Sequence, residues 1–186
     1  MNSIFKHTKI ALIGLLIFSN AFAQTLNNIP DQDIPADYGY IAKIGDKIPD
    51  FTMTLTNGKK VFSKDWNGKV VMLQFTASWC GVCRKEIPFI ERDIWLKNKR
   101  NPKFLLFGVD RDEPLEKVKS YQKEMKITYP VAIDPNADIF GIFADKKAGV
   151  TRNVIIDQNG KIVYMTRLFK VKEFLDMVRV IEMLLK

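Results

Sequence analysis

Histidine occurs once in the 186 residues, as His7, and cysteine twice, as Cys80 and Cys83. That scarcity excludes much chemistry. With no histidine after position 7, the body of the chain can hold no Ser-His or Cys-His relay, no His-containing zinc or copper site and no haem bound through His. Zinc held by thiolates alone needs about four ligands, twice the number the sequence offers. Apolar runs are short too: Ile10–Phe18 is an uncharged stretch of nine residues, well below the roughly 20 that a spanning helix requires. Charge of neither sign is missing. Lys and Arg total 29 against 21 Asp and Glu, a net charge of +8 that permits weak attraction to anionic surfaces but carries no nucleic-acid motif. At 47% hydrophobic and 27% charged residues, the composition excludes collagen-like and wholly disordered chains, and the length suits one domain.

Residues 1–23 place Lys6 and Lys9 ahead of the apolar run and Ala21-Phe22-Ala23 behind it. A basic start, a short apolar middle and an A-x-A end make a secretory signal peptide, with cleavage expected before Gln24. An uncleaved anchor is the alternative, and the shortness of the run counts against it. The expected destination is the periplasm or another exported location. Residues 24–45, with Asn27, Asn28, Pro30, Asp31, Asp33, Pro35 and Asp37, read as an extended N-terminal segment wrapping the surface, and residues 46–186 as the folded domain.

Within that domain strand-like and helix-like blocks alternate. Phe51–Thr56, Asn57-Gly58 and Lys60–Ser63 form a hairpin, since Asn-Gly supplies the positive φ angles of a two-residue turn. Lys69–Ala77 and Phe104–Val109 are apolar runs of the kind covered on both sheet faces. Between them Cys83, Ile87, Ile90 and Ile94 recur on one helical face, which Pro88 is expected to kink or restart. Asp112 is placed to cap a helix beginning near Pro114, with Leu115, Val118, Tyr121 and Met125 as its stripe. Tyr129–Ile133 is a short strand, and Asn153–Ile156 with Ile162–Met165 a second hairpin through Asp157–Gly160. Val171, Phe174, Leu175, Val178, Ile181, Leu184 and Leu185 give the last helix its apolar stripe. The order implies an α/β layer structure whose sheet is parallel in the middle and antiparallel where hairpins join it.

Both cysteines fall in Ser78-Trp79-Cys80-Gly81-Val82-Cys83-Arg84, where a buried strand hands over to a helix. Residues three apart on a first helical turn are neighbours, so the thiols can close a disulfide without moving the fold. The two are not equivalent. Cys83 shares the apolar stripe, whereas Cys80 sits at the helix start facing outward, where free N–H groups and the helix dipole stabilise a thiolate. Cys80 is therefore the expected nucleophile and Cys83 the resolving thiol. Trp79 offers an apolar wall to an incoming chain, and Gly81 lets its backbone approach. A purely structural disulfide is the alternative, although so small a loop removes little unfolded-state entropy.

At these residues the chain resembles the thioredoxin superfamily, and within it the exported oxidoreductases of the TlpA/ResA type. The resemblance runs from about Ile44 to the C-terminus and rests on Ile48-Pro49-Asp50-Phe51, Asn57-Gly58-Lys59, Asn67-Gly68-Lys69-Val70-Val71, the Phe75–Pro88 segment, and Val154-Ile155-Ile156-Asp157 with Gly160-Lys161-Ile162. It implies a thioredoxin fold, a central mixed sheet flanked by helices with an N-terminal β-hairpin extension. It also implies thiol-disulfide exchange with protein disulfides or thiols, recharged by a membrane-embedded thiol donor, with no metal and no cofactor beyond the Cys80-Cys83 pair. Three positions depart from the pattern. Val82 replaces the usual Pro between the cysteines. Thr151, after Val150, falls where the family carries a cis-Pro facing the sulfurs, and a trans Val150–Thr151 bond is expected because a non-proline cis bond costs about 2.5–4 kcal/mol; Thr151 is expected to face Cys80 with its hydroxyl. Gln74 replaces the buried acid of cytosolic thioredoxins and cannot accept a proton. Glu86 matches the family pattern after the second cysteine, with a solvated residue pairing with Lys85 or Arg84 as the alternative.

A thiol peroxidase of the peroxiredoxin type is the enzymatic rival. Peroxiredoxins place Pro seven and Thr three residues before their reactive cysteine; here Leu73 and Ala77 precede Cys80 at those distances, and Thr76 and Cys80 precede Cys83. Arg152 could serve a peroxide pocket, against the simpler reading of an edge-strand surface cation. A thioredoxin-fold binding protein with a permanently closed disulfide is the non-enzymatic rival. Copper-delivery proteins of this fold use a wider cysteine spacing and a distal histidine, both absent.

Overall fold

The computed structural model describes Ile29 and residues 32–186. The signal-peptide reading at 1–23 and the lead-in before Gln32, Ile29 apart, fall outside the described residues. Seven strands form one mixed sheet: β1 (Thr52–Leu55), β2 (Lys60–Phe62), β3 (Val70–Thr76), β4 (Phe104–Arg111), β5 (Val131–Asp134), β6 (Arg152–Ile156) and β7 (Ile162–Arg167), in the order β2-β1-β5-β4-β3-β6-β7. The β3–β4 and β4–β5 pairs are parallel, as the long connections between them require, and the remaining pairs are antiparallel. All seven residues of β3 are buried. The runs read from the sequence as covered on both faces are the centre of the sheet.

Side chains alternate across β3. Val71, Leu73 and Phe75 enter a cluster with Met53, Leu55, Trp66, Phe107, Phe140 and Phe143. Gln74 and Thr76 point the other way, beneath the helices. Among the described residues four helices follow in chain order: α1 (Gly81–Phe89, continued as π-helix through Ile90–Trp95 and ending as α-helix in Leu96–Asn98), α2 (Leu115–Glu124), α3 (Phe140–Phe143) and α4 (Val171–Leu184). On the Gln74 side, Tyr121 of α2 bonds the Thr76 hydroxyl (3.0 Å), and Phe174 of α4 meets Phe89 of α1 with ring centroids 6.1 Å apart. On the other side Phe140 of α3 packs edge-on against Phe75.

Several local expectations change in the folded chain. At Pro88 the expected break takes the form of a change of register: lacking an N–H, the proline leaves the Arg84 carbonyl without an α-helical partner, and from Ile90 the helix widens into π register while Ile87, Ile90 and Ile94 stay buried. The first hairpin turns on Gly58 alone: its φ is +83° and Asn57 stays right-handed, with Gly58 N–H bonded to Leu55 O and Leu55 N–H to Lys59 O, so the loop is longer than the two-residue turn. Asp112 does not cap α2. It adopts φ +62° and its carboxylate binds Arg111, while Pro114 precedes the helix without a side-chain cap. In α4, Phe174, Ile181 and Leu184 of the expected stripe are buried, but Val171 and Leu175 are exposed and Met177 and Val180 are buried in addition. From Gln32 the N-terminal segment lies on the domain: the Gln32 amide bridges Met165 N–H and C=O, and Tyr40 Oη donates to Thr166 O.

Candidate active site

β3 ends at Thr76 and the chain turns through Ala77-Ser78-Trp79 into α1, delivering both cysteines to the carboxyl end of the central strand. Cys80 is the N-cap residue, and its Sγ accepts the Cys83 backbone N–H at 3.2 Å. The sulfurs are joined as a disulfide with Cα atoms 5.3 Å apart. Cys80 is only 8% exposed and Cys83 0%, so the expected asymmetry holds in sign, but the first sulfur sits in a shallow recess and does not project. Trp79 does project, at 61% exposure. Nothing lies within 4 Å of a Cβ built on Gly81, so the strip beside the disulfide is open; Val82 is half-buried against the core cluster.

Every described peptide bond is trans, Val150–Thr151 included. Thr151, itself buried, sets its hydroxyl 3.1 Å from Cys80 Sγ and 3.3 Å from Cys83 Sγ. A proline ring there has no hydrogen to offer; a threonine hydroxyl can donate one to whichever sulfur carries charge. Val150 is buried behind it.

Glu86, one turn beyond Cys83, is 1% exposed and pairs with neither Lys85 nor Arg84. Asn153 of β6 donates to its Oε1 at 2.7 Å, while Oε2 has no partner. Burial disfavours the charged form and pushes Glu86 up to about 8, against the smaller opposing effect of the Asn153 bond. Asn153 also donates to Thr166 Oγ1 at 2.9 Å. Gln74 is fully buried, accepting from Tyr129 Oη at 2.9 Å with its own Nε2 unpartnered. The neutral residue and the acid thus sit under the same helix. Arg152 is no surface cation: β6 is an inner strand, the side chain is 0% exposed, and its guanidinium lies over the Tyr40 and Phe140 rings at 4.5 and 5.6 Å. Sequence reasoning passed over Asn153, which orients Glu86. Its strand position beside Thr151 is the only signal it gave.

Similarity to known proteins agrees with this geometry. The Redoxin family pattern matches residues 43–181. The thiol-disulfide oxidoreductase ResA of Bacillus cereus is 32% identical over 175 residues, covering 89% of this chain and 90% of that protein. A provisionally assigned protein disulfide isomerase from Bacteroides thetaiotaomicron, solved in solution, superposes with a TM-score of 0.78 at 59% identity over 80% of this chain and 93% of its own. A provisionally assigned thiol:disulfide interchange protein DsbE from Chlorobium tepidum gives 0.66 at 28% identity, over 77% and 99%. With its thioredoxin fold and Cys-x-x-Cys pair, the chain belongs to the Redoxin family and is a thiol-disulfide oxidoreductase of the TlpA/ResA-like kind.

Proposed function

We propose that the protein works outside the cytoplasm, in the periplasm or its equivalent, as a reductant of protein disulfides, after removal of residues 1–23 near Ala23/Gln24. The observation that carries the reading is the unequal pair: Cys80 partly accessible and bonded by the Cys83 N–H at a helix start, Cys83 fully enclosed. In the reduced form the Cys80 thiolate attacks one sulfur of a client disulfide. A Cys80–client bond forms as the client S–S bond breaks, and the departing client sulfur leaves as a thiolate that takes a proton. Cys83 then loses its proton and attacks Cys80 Sγ, releasing the second client thiolate and re-forming the Cys80-Cys83 disulfide. Two electrons pass to the client. Thr151 steadies the charged sulfur in both steps, Glu86 is the buried group that can take the Cys83 proton, and Gln74 holds the strand beneath without titrating. Trp79, Gly81 and Val82 line the surface on which the client lies, and Val150 packs beneath Thr151. The dithiol is the whole redox equipment, needing no metal, and a membrane-embedded thiol protein returns it to the reduced state.

A Cys83→Ser variant, which cannot resolve, should accumulate mixed disulfides through Cys80, identifiable by mass spectrometry; Cys80→Ser should accumulate none and leave insulin unreduced. A Cys80 thiol no more acidic than in a free peptide, together with intact insulin in the presence of the wild type, overturns the reading. A potential below about −300 mV without turnover assigns the bridge a structural role instead. N-terminal sequencing of the exported protein checks the cleavage position.

A further inference from the structure

Ser78, two residues before Cys80, is held at every polar atom it has. Its backbone N–H donates to Glu113 Oε2 (2.5 Å), its hydroxyl to Glu113 Oε1 (2.6 Å), and its carbonyl accepts from Arg84 Nε (2.8 Å). Arg84 is fixed in turn by Glu124 of α2 and lies over the Tyr121 ring at 5.0 Å. Between β4 and Glu113 the chain passes through Asp112 in a left-handed conformation, φ +62°. Both Glu113 and Ser78 are buried.

Behind Glu113 stands a second carboxyl group. Asp110 is 0% exposed, and neither of its oxygens finds a donor. The carboxyl group set against it is Glu113, three residues on and another acceptor, so a bond between the two needs a proton on one of them. Burial first, then the charge of Glu113, its hydrogen bond and the charge of Asp112 push Asp110 up to about 8. The surrounding groups do not relieve it: Arg84 from α1 is bound to Glu124, Asp112 to Arg111, Tyr121 from α2 to Thr76 of β3, and on β5 the Asp134 carboxylate accepts the Asp138, Ile139 and Phe140 amides.

We propose that Asp110 and Glu113 form a proton-sharing clamp on Ser78 that positions the Cys80 sulfur, which makes both of them positioning residues for the exchange reaction. The proposal rests on the oxidoreductase reading above. With one proton between them, the pair holds a single negative charge directed at Ser78. When that proton leaves, two buried anions face each other and the grip on the turn carrying Trp79 and Cys80 loosens.

The test follows the Ser78 amide by NMR in the full chain, beside the rate of insulin reduction. In the wild type the amide resonance should lie far downfield and move with an apparent midpoint near pH 8. Asp110→Asn should abolish that transition, and its rate relative to wild type should rise at least about threefold between pH 6 and pH 9. Glu113→Ala should cost about tenfold in rate with the amide shifted upfield; should that variant not fold, Ser78→Ala removes the hydroxyl bond alone and should slow exchange about threefold. A pH-invariant amide in the wild type, or an Asp110→Asn profile identical to wild type with Ser78→Ala at full rate, overturns the clamp. A wild type that reduces nothing overturns the oxidoreductase reading instead, while the amide titration still judges the clamp.

Discussion

Gln74 and Phe75 are consecutive residues of β3 that enter opposite interiors. Around Phe75 the fill is aromatic: Phe140 and Phe143 within 5.5 Å, Trp66 stacked on Phe107, Phe51 edge-on to Trp66. Around Gln74 the helices cover a buried polar layer in which Gln74 Nε2, Glu86 Oε2, Asn153 Oδ1 and both Asp110 oxygens lack partners. A buried polar atom without a partner costs roughly 1–3 kcal/mol, so the second interior is expensive to maintain. It is also the interior beneath the cysteine helix. Both interiors hold apolar core, the second through Met72, Ile87, Ile90, Val118 and the buried face of α4, and the second also places titratable groups beneath the cysteine helix. The aromatic side is not free of unpartnered polar atoms, since Trp66 Nε1 and both terminal nitrogens of Arg152 lack partners too, the guanidinium lying over ring faces.

The sharpest way to break this contrast is to truncate one residue on each side. Phe140→Ala should lower stability by about 3–5 kcal/mol, read by urea denaturation of the oxidised protein. Glu86→Gln, equally buried, should lower it by less than about 1 kcal/mol when both variants are compared near pH 4, where Glu86 is protonated in the folded state and largely so in the unfolded one and the amide is close to its shape. Equal losses would mean that the two interiors share the load.

A second effect separates them by pH. Glu86 and Asp110 both have folded-state values raised to about 8. Between the ordinary carboxylate range and about pH 8 the folded state therefore binds more protons than the unfolded one, and stability falls as pH rises, by up to about 1.4 kcal/mol per pH unit for each group. Glu86→Gln and Asp110→Asn should each flatten that decline by one group's share, and the double variant should remove it. Phe140→Ala should shift the curve down without altering its slope. Unchanged slopes in both carboxyl variants would show that the acids are solvated.

How far the sequence carried the reading depends on whether the signal was local. Periodicity located β3, β4, the cysteine face of α1 and both hairpins, since burial on one or two faces imposes a pattern along the chain itself. The Cys80/Cys83 asymmetry was legible for the same reason, and so was Thr151, by its distance from Asp157. What escaped depended on partners distant in sequence. Glu86 looks like any helical acid until Asn153, 67 residues on, is seen donating to it. Arg152 looks like a surface cation until β6 is found between β3 and β7. Leu175 is apolar at a stripe position yet faces away, because Met177 and Val180 fill the contact instead.

The finest distinction concerns Thr151, whose hydroxyl touches the two sulfurs on which the chemistry turns. A hydrogen bond to a charged acceptor contributes about 1.5–3 kcal/mol, equivalent to about one to two units in the acidity of the group that accepts it. Thr151→Val removes the hydroxyl at nearly constant volume, so the Cys80 thiol should become less acidic by about one unit, followed through thiolate ultraviolet absorbance in the reduced protein. Exchange near neutral pH should slow about tenfold, as the thiolate fraction falls. Thr151→Ser should retain most of the wild-type acidity. Thr151→Ala and Thr151→Pro should follow Val, because neither offers a proton, whatever each does to the backbone. If all four variants keep the wild-type acidity and rate, the hydroxyl serves only to fill space beside the disulfide, and the charge on Cys80 is held by the Cys83 N–H and the helix start alone.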